Sequence, residues 1–485
     1  MLLAAALACS PARAQLPSLG GGGDLTVGAE RKLGQQVARE LFRDPDFIED
    51  PVIDDYVLKI WTRLLAASRA RGDLGDDLDE RFAWEVLVGK DRTINAFALP
   101  GGYMGLNLGL LSATTNADEL ASVLGHELSH VTQRHISRLM TQQSRQLPLI
   151  IGAMLLGALA AGRNGDAAQA AIIGGQALAM QNQLNFTRDM EREADRFGLM
   201  VASEAGYDTQ SFISMFEKLE HAGRLNDSGA FPYLRTHPMT TERIAEIQSR
   251  TQLAAPAAPR APDMVHLMMA GRARVLSEPG VDALRAYAAD EAARPQPDNR
   301  AREAGNVYAA ALAQAKLRNV PAAKALAARL AQVTEGNAEA QRQARLLAAE
   351  IAYESGDFKP AQALADSPDR PEMILGVQAR IRGGLAHAAS DRLQTWVALN
   401  PKDSQAWQLL GQAWAAQGQT LRSLRSEAES HAAHLDYQAA LDRLRAAQEF
   451  SRRNPGTQRD HIEASIIDAR AREFVSLLRE QALER

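Results

Sequence analysis

Two histidines, His126 and His130, stand four residues apart, with Glu127 directly after the first. Four residues advance an α-helix by about 400°, so on a helix the two imidazoles share one face, one turn apart. Both then reach a single Zn²⁺ at about 2.0–2.1 Å per nitrogen. Glu127 lies about 100° round the helix from His126, off the ligand ridge but within reach of a water activated at the ion. His-Glu-x-x-His on a helix is the pattern of metal-assisted peptide hydrolysis, with two nitrogen ligands and a carboxylate general base. Five residues in a chain with 10 His can match by accident. The rest of the chain must therefore supply a helix, a third ligand, support for the ligands and room for substrate.

A catalytic zinc takes three protein ligands and keeps a fourth position open. A third His six residues after the second is absent, because position 136 is Ile, and Gln133 stands where a Gly would accompany it. His135 follows His126 by nine residues, about 900° of turn, which sends it to the opposite side of a continuous helix as a surface or packing residue. A carboxylate in RDMEREADRFGLM, residues 188–200, is the better candidate. Glu191 and Asp195 are i and i+4 on one helical face, with Ala194 beside them for close packing. Glu191 completes a His2Glu site. Asp195 is then placed to accept from the non-metal nitrogen of a ligand His. Glu193, about 200° from Glu191, points away. One Zn²⁺ per chain is the expected cofactor, held by His126, His130 and Glu191.

The elements that position these residues are legible around them. Asn116 precedes Ala-Asp-Glu and can cap a helix, with Glu119 completing a capping box. From Glu119 the chain runs to Met140 without Pro, with Leu120, Val123, Leu124, Leu128 and Val131 at helical spacing. Gly125 lets another segment approach that helix. FAWEVLVG, residues 82–89, reads as a strand, and residues 94–111 as β-like stretches broken by Pro100-Gly101-Gly102. A strand beside the metal helix offers a free edge for an extended substrate, or is a plain hairpin in the core sheet. LPLIIGAMLLGALAA, residues 147–161, is nearly all apolar, but at about 1.5 Å per residue it covers only about 22 Å. With the Gly-rich break after it, 147–178 reads either as a buried helix or as a lid or membrane-surface hairpin.

Composition bounds the rest. A net charge of -5 and a pI near 6.1 leave no global basic field, so nucleic acid is not an expected partner. Residues 1–14 read as a signal peptide, with Ala12-Arg13-Ala14 as the cleavage site before Gln15. That predicts a periplasmic protein. Cys9 is the only cysteine, so the mature chain has neither disulfide nor thiolate ligand, and metal ligands must be His and carboxylate. A Gly-rich tether spans 15–26, a mixed helix and strand region 27–250, and an Ala/Pro linker 251–265. From 266 to 485 the chain is helical in pattern. Trp407-Gln-Leu-Leu410-Gly411-Gln-Ala-Trp414 fits the first helix of a tetratricopeptide (TPR) repeat. Turns recur at Ser355-Gly356-Asp357 and Leu435-Asp436. The expected fold is α+β: a mainly helical zincin-like peptidase domain with a small β-sheet, then an all-α TPR-like solenoid, or an irregular bundle in its place.

The combination His126-Glu127-x-x-His130 with Glu191-x-x-Ala194-Asp195 resembles the HtpX and CAAX-prenyl-protease type of gluzincin metallopeptidase. NAFALPGG, Asn95 to Gly102, resembles the segment that precedes the metal helix in that family, and Thr236-His237-Pro238 resembles its later T/S-H-P element. With a leader and a helical arm, the chain is most similar to the periplasmic branch that serves outer-membrane β-barrel assembly. The likeness covers about 27–250 closely and 266–485 more loosely. It implies a zinc endopeptidase for quality control and assembly of outer-membrane proteins, with unfolded or misassembled outer-membrane proteins as substrates and the β-barrel assembly machinery as partner of the TPR arm. A chaperone-like assembly factor with a normally closed peptidase site is the alternative. No apolar stretch reaches the roughly 18 residues of a spanning helix, which favours the soluble branch with peripheral membrane contact through 147–178. His237 has three readings: an oxyanion-stabilising catalytic donor, a fourth ligand that holds the enzyme off, or a turn residue before Pro238. Arg243, on a capped helix, reads as surface or structural.

Overall fold

The computed structural model of the protein describes residues 25–142, 188–225, 233–234, 237–238, 240–251, 263–292, 299–454 and 461–482. The leader, the tether apart from Leu25 and Thr26, the apolar stretch 147–178 and most of the Ala/Pro linker lie outside the described residues.

Helix α1 (Val27–Phe42) starts where the Thr26 hydroxyl accepts from the Ala29 amide. Helix α2 (Pro51–Arg71) carries Asp50 as its cap and Pro51 in its first turn, and stops on Gly72 with φ 74°. A short helix, α3 (Asp76–Arg81), leads into strand β1 (Glu85–Gly89). Strands β2 (Ala96–Ala98) and β3 (Tyr103–Asn107) flank a tight turn at Pro100–Gly102. Among the described residues they form one three-stranded sheet, ordered β1-β3-β2, with β1 parallel and β2 antiparallel to β3. The expected strand and the broken β-like stretch are both there.

Helix α4 (Leu108–Ala113) follows the sheet and α5 (Ala117–Thr132) follows it in turn. Asn116 accepts from the Glu119 amide at 2.8 Å, while the Glu119 carboxylate takes the Thr115 amide, one residue before the cap, also at 2.8 Å. Every residue of α5 from Asp118 to Thr132 is buried, so this helix is the axle of the domain. Helix α6 (His135–Gln142) comes next, then α7 (Arg188–Glu204), α8 (Gln210–Leu225) and α9 (Thr241–Thr251). Helices α5 and α7 cross at Gly125 and Gly198. A Cβ on Gly198 would stand 2.9 Å from the His126 amide nitrogen. The absence of side chains there lets a carboxylate on α7 reach the imidazoles of α5.

The remaining helices are α10 (Met264–Ser277), α11 (Val281–Ala292), α12 (Arg300–Lys316), α13 (Val320–Val333), α14 (Ala338–Glu354), α15 (Phe358–Leu364), α16 (Arg370–Arg382), α17 (Ala386–Leu399), α18 (Ser404–Ala416), α19 (Thr420–Ala433), α20 (Tyr437–Arg453) and α21 (His461–Ala482). Tight turns with left-handed residues separate several neighbours, among them Gly356, Gly384, Gly418 and Leu435, and successive helices pack on one another as a helical-hairpin stack requires. Trp407 and Trp414 are buried on α18 within that stack. The fold is thus α+β, a peptidase part with a small sheet followed by a helical arm.

The apolar core does not divide at the expected linker. One cluster of buried residues runs from Val52 to Leu375, and α10 packs against α4. Helix α9 continues through Thr251, and Asp263 already caps α10. Charge reinforces the junction. Arg272 donates to Asp50 at 2.6 Å and to Glu350 at 2.7 Å, and Arg342 and Arg370 reach Asp55 and Asp54 at 2.9 and 3.2 Å.

Candidate metal centre

Helix α5 sets His126 and His130 one turn apart, with their Nε2 atoms 3.0 Å from each other. Helix α7 brings Glu191 against both. Its Oε1 is 3.5 Å from His130 Nε2 and its Oε2 is 3.6 Å from His126 Nε2. His237 enters from the segment before α9, with Nδ1 2.9 Å from Glu191 Oε1 and 3.4 Å from His126 Nε2. One ligand atom from each of these four buried residues lies within 4.8 Å of the other three. Donors at about 2.0–2.1 Å from one ion, at tetrahedral corners, stand about 3.3 Å apart. The measured separations cluster around that value, so the donor set fits a four-coordinate metal.

Glu127 points its Oε2 at the Ala98 amide of β2, 2.9 Å away, and its Oε1 lies 3.4 Å from His237 Nε2. Glu127 Oε1 is buried without an aligned hydrogen-bond donor. A buried carboxylate oxygen left in that condition is costly, and positive charge nearby lowers the cost.

Asp195 and Arg243 back the cluster. Asp195 Oδ1 lies 3.0 Å from His126 Nδ1, off the ideal hydrogen-bond axis. Arg243 grips Asp195 through Nε and Nη2, both at 2.7 Å, and Nη1 is 2.8 Å from Glu191 Oε2 and 2.9 Å from the Pro238 carbonyl. Tyr233 stacks on His237, ring centroids 4.7 Å apart.

The electrostatics follow. Burial drives the His130 imidazole well below its usual range, with His126 and His237 adding to the effect. It is therefore neutral, the form that offers a lone pair to a metal. Burial pushes Glu191 up, but His237 and Arg243 outweigh it and hold the carboxylate below its ordinary value. The same contest, decided by Arg243 and His126, lowers Asp195. Burial pulls His237 down, yet Glu127 and Glu191 prevail and its pKa is raised. The carboxylates thus favour positive charge at this point, which a bound cation supplies.

The structure corrects the expectation for His135 and narrows that for Arg243. Of its two readings, surface or structural, Arg243 takes the structural one: at 4 % exposure it ties Asp195, Glu191 and the His237 turn together. His135 does not sit on the far side of a continued helix. Arg134 takes φ 55°, α5 ends, and the fully buried His135 turns back to place Nδ1 2.9 Å from His130 Nδ1. Glu193 does point away from Glu191, but its carboxylate meets His135 Nε2 at 3.0 Å. No Gly or Pro announces the break at Gln133-Arg134, which hid the contact; the His130-x4-His135 spacing was the available signal.

Residues 72–251 match peptidase family M48. A Vibrio cholerae relative, named for a β-barrel assembly-enhancing protease, is 37% identical over 262 residues, 52% of this chain and 51% of its own, so the chain spans about half the length of that relative. The β-barrel assembly-enhancing protease of Escherichia coli strain K12 is 30% identical over 426 residues, 86% of this chain and 83% of its own. The mitochondrial metalloendopeptidase OMA1 of Arabidopsis thaliana is 30% identical over 229 residues, 47% of this chain and 42% of its own.

Proposed function

We propose, for a chain that belongs to peptidase family M48 and to its β-barrel assembly-enhancing proteases, a periplasmic zinc-dependent endopeptidase that hydrolyses misfolded or stalled outer-membrane proteins. The observation that carries this reading is the convergence of His126, His130 and Glu191 from two helices, with Glu127 alongside. These three residues would hold the ion. When bound, zinc supplies Lewis acidity that polarises a scissile carbonyl and makes a water acidic enough to attack at neutral pH.

The chain's own residues do the rest. Glu127 accepts the attacking water's proton and returns it to the leaving amine. Asp195 orients His126, and Arg243 keeps Asp195 ionised and in place. The Ala98 amide points out of β2, away from β3 and toward Glu127. This supports β2 as the edge on which an extended substrate adds a strand. Substrates held through main-chain hydrogen bonds are unfolded chains of broad sequence, as quality control requires. The helical arm, read as TPR-like, offers a surface for the β-barrel assembly machinery.

A specific observation favours a second reading, an assembly factor whose peptidase site is normally closed. His237 sits among the ligand atoms and Glu127 is bonded to Ala98. The two readings are separated by one experiment. Metal content is measured on the purified chain, and an unfolded outer-membrane protein is digested with and without chelator. Chelator-sensitive cleavage supports the endopeptidase. Absence of cleavage, with full rescue of a deletion strain by Glu127→Gln, supports the assembly factor.

A further inference from the structure

Arg134, between α5 and α6, adopts a left-handed conformation that non-glycine residues rarely take. The break is braced. Arg134 donates Nε and Nη2 to Glu30 Oε2 at 3.2 and 2.9 Å, and Nη2 also meets the Leu25 carbonyl. Glu30 lies on α1, outside the 72–251 match to the peptidase family. The N-terminal helix thereby holds the turn that delivers His135.

What the turn delivers is specific. The rings of His130 and His135 meet edge to face, centroids 4.9 Å apart and planes at 76°. Their Nδ1 atoms are 2.9 Å apart, so one donates and the other accepts. Beyond, His135 Nε2 is 3.0 Å from Glu193 Oε2, which also accepts from Arg138 at 2.7 Å. If His130 offers its Nε2 lone pair to a metal, its proton sits on Nδ1 and is donated to His135. The His135 proton is then on Nε2 and is donated to Glu193. One assignment fixes the whole row, with every donor matched to an acceptor.

We propose that His135 is a positioning residue for the metal, locking the tautomer and ring orientation of His130 through Glu193. The proposal rests on His130 being a ligand. It gives the two histidines parallel support from one helix. Asp195 reaches His126 directly, and Glu193 reaches His130 through the interposed imidazole. Glu191, Glu193 and Asp195 of α7 then supply a ligand and both braces. A packing role alone would ask only for a side chain of this volume. Hydrogen bonds at both ring nitrogens ask for more.

The test uses the full chain, with zinc affinity from chelator competition and the visible spectrum of the Co²⁺-substituted protein. His135→Leu keeps the bulk and removes both hydrogen bonds. It is expected to weaken zinc binding roughly ten- to hundredfold and to alter the Co²⁺ bands. His135→Gln, which can accept from His130 and donate to Glu193, recovers most of the loss. Glu193→Ala, at a partly exposed side chain, weakens binding by less, roughly severalfold. A folded His135→Leu protein with wild-type affinity and an unchanged spectrum overturns the proposal, as does a Gln variant no better than Leu. If His135→Leu does not fold, unchanged affinity in Glu193→Ala overturns it instead. A wild-type chain that binds neither ion brings down the ligand assignment itself, a visibly different result.

Discussion

Arg243 donates to both carboxylate oxygens of Asp195 at 2.7 Å, and the Oδ1 that takes Nη2 is the one 3.0 Å from His126 Nδ1. One carboxylate thus joins a buried guanidinium to a ligand imidazole. Glu191 and Asp195 are two buried carboxylates that share one buried guanidinium, Arg243. Arg243 is therefore part of the charge balance as well as a geometric clamp. Arg243→Leu should leave Asp195 and Glu191 buried without their cation and cost about 3–5 kcal/mol of stability. Denaturant unfolding reads the loss and metal analysis reads the accompanying fall in occupancy; an unchanged midpoint would remove Arg243 from this role.

Glu127 lies beside the cluster rather than in it, held by the Ala98 amide. Glu127→Gln keeps the shape and can still meet that amide through its carbonyl, but it cannot accept a proton. Metal content and melting temperature should match wild type, while cleavage of an unfolded protein falls by about 10²–10⁴ or more. Cleavage at the wild-type rate would show that another group moves the proton.

The site was legible wherever local periodicity carried the information. His126 and His130 follow from helical spacing, and Glu191 and Asp195 from an i, i+4 pair on a second helix. The strand expected within 82–89, which forms over Glu85–Gly89, and the helical hairpins of the arm also follow from period and turn residues. Illegible was whatever depended on tertiary contact. The left-handed Arg134 is stabilised by Glu30, more than a hundred positions earlier in the chain, so nothing in Gln133-Arg134 marks the break that returns His135 to the site. Arg243 is buried between residues of two helices, its guanidinium bonded to Asp195 of α7 and lying 5.3 Å from the Phe216 ring centroid of α8. The junction with the arm hid for the same reason. Prolines 256, 259 and 262 suggest separation, whereas the apolar surface of α10 finds its partner on α4.

His237 was open to three readings, and the distances favour the fourth ligand. Its Nδ1 stands 2.9 Å from Glu191 Oε1 and 3.4 Å from His126 Nε2, inside the donor set. His237→Ala should retain zinc, since three ligands remain, and the metal-edge absorption spectrum should show one nitrogen fewer. Cleavage of an unfolded protein should rise if His237 occupies the position that substrate needs. A spectrum identical to wild type with cleavage reduced about 10²-fold or more would return His237 to the oxyanion role.

Asp50 offers a test of the junction between peptidase part and arm that leaves the metal site untouched. It caps α2 and takes two bonds from Arg272, which also holds Glu350 and Tyr308 of the arm. Burial pushes the Asp50 carboxyl up, but Arg272 outweighs it, and the pKa falls below its ordinary 3.8. A carboxyl depressed in the folded state stabilises fully above its unfolded pKa, and that contribution fades as pH drops through the lower folded value. Asp50→Asn retains a good helix cap but not the charge. The variant should be less stable than wild type at pH 7 and at pH 5. The gap should then close as the pH falls below about 3.8, because wild type loses what the variant never had. Asp54, whose carboxyl is pushed up by burial and in part by the Asp50 charge, responds to the substitution as well, so the same comparison in an Asp54→Asn background isolates the Asp50–Arg272 pair. Denaturation midpoints at pH 7, 5 and 3 measure it. A gap of constant size across that range would mean that the Asp50–Arg272 charge pair does not tie the arm to the peptidase part.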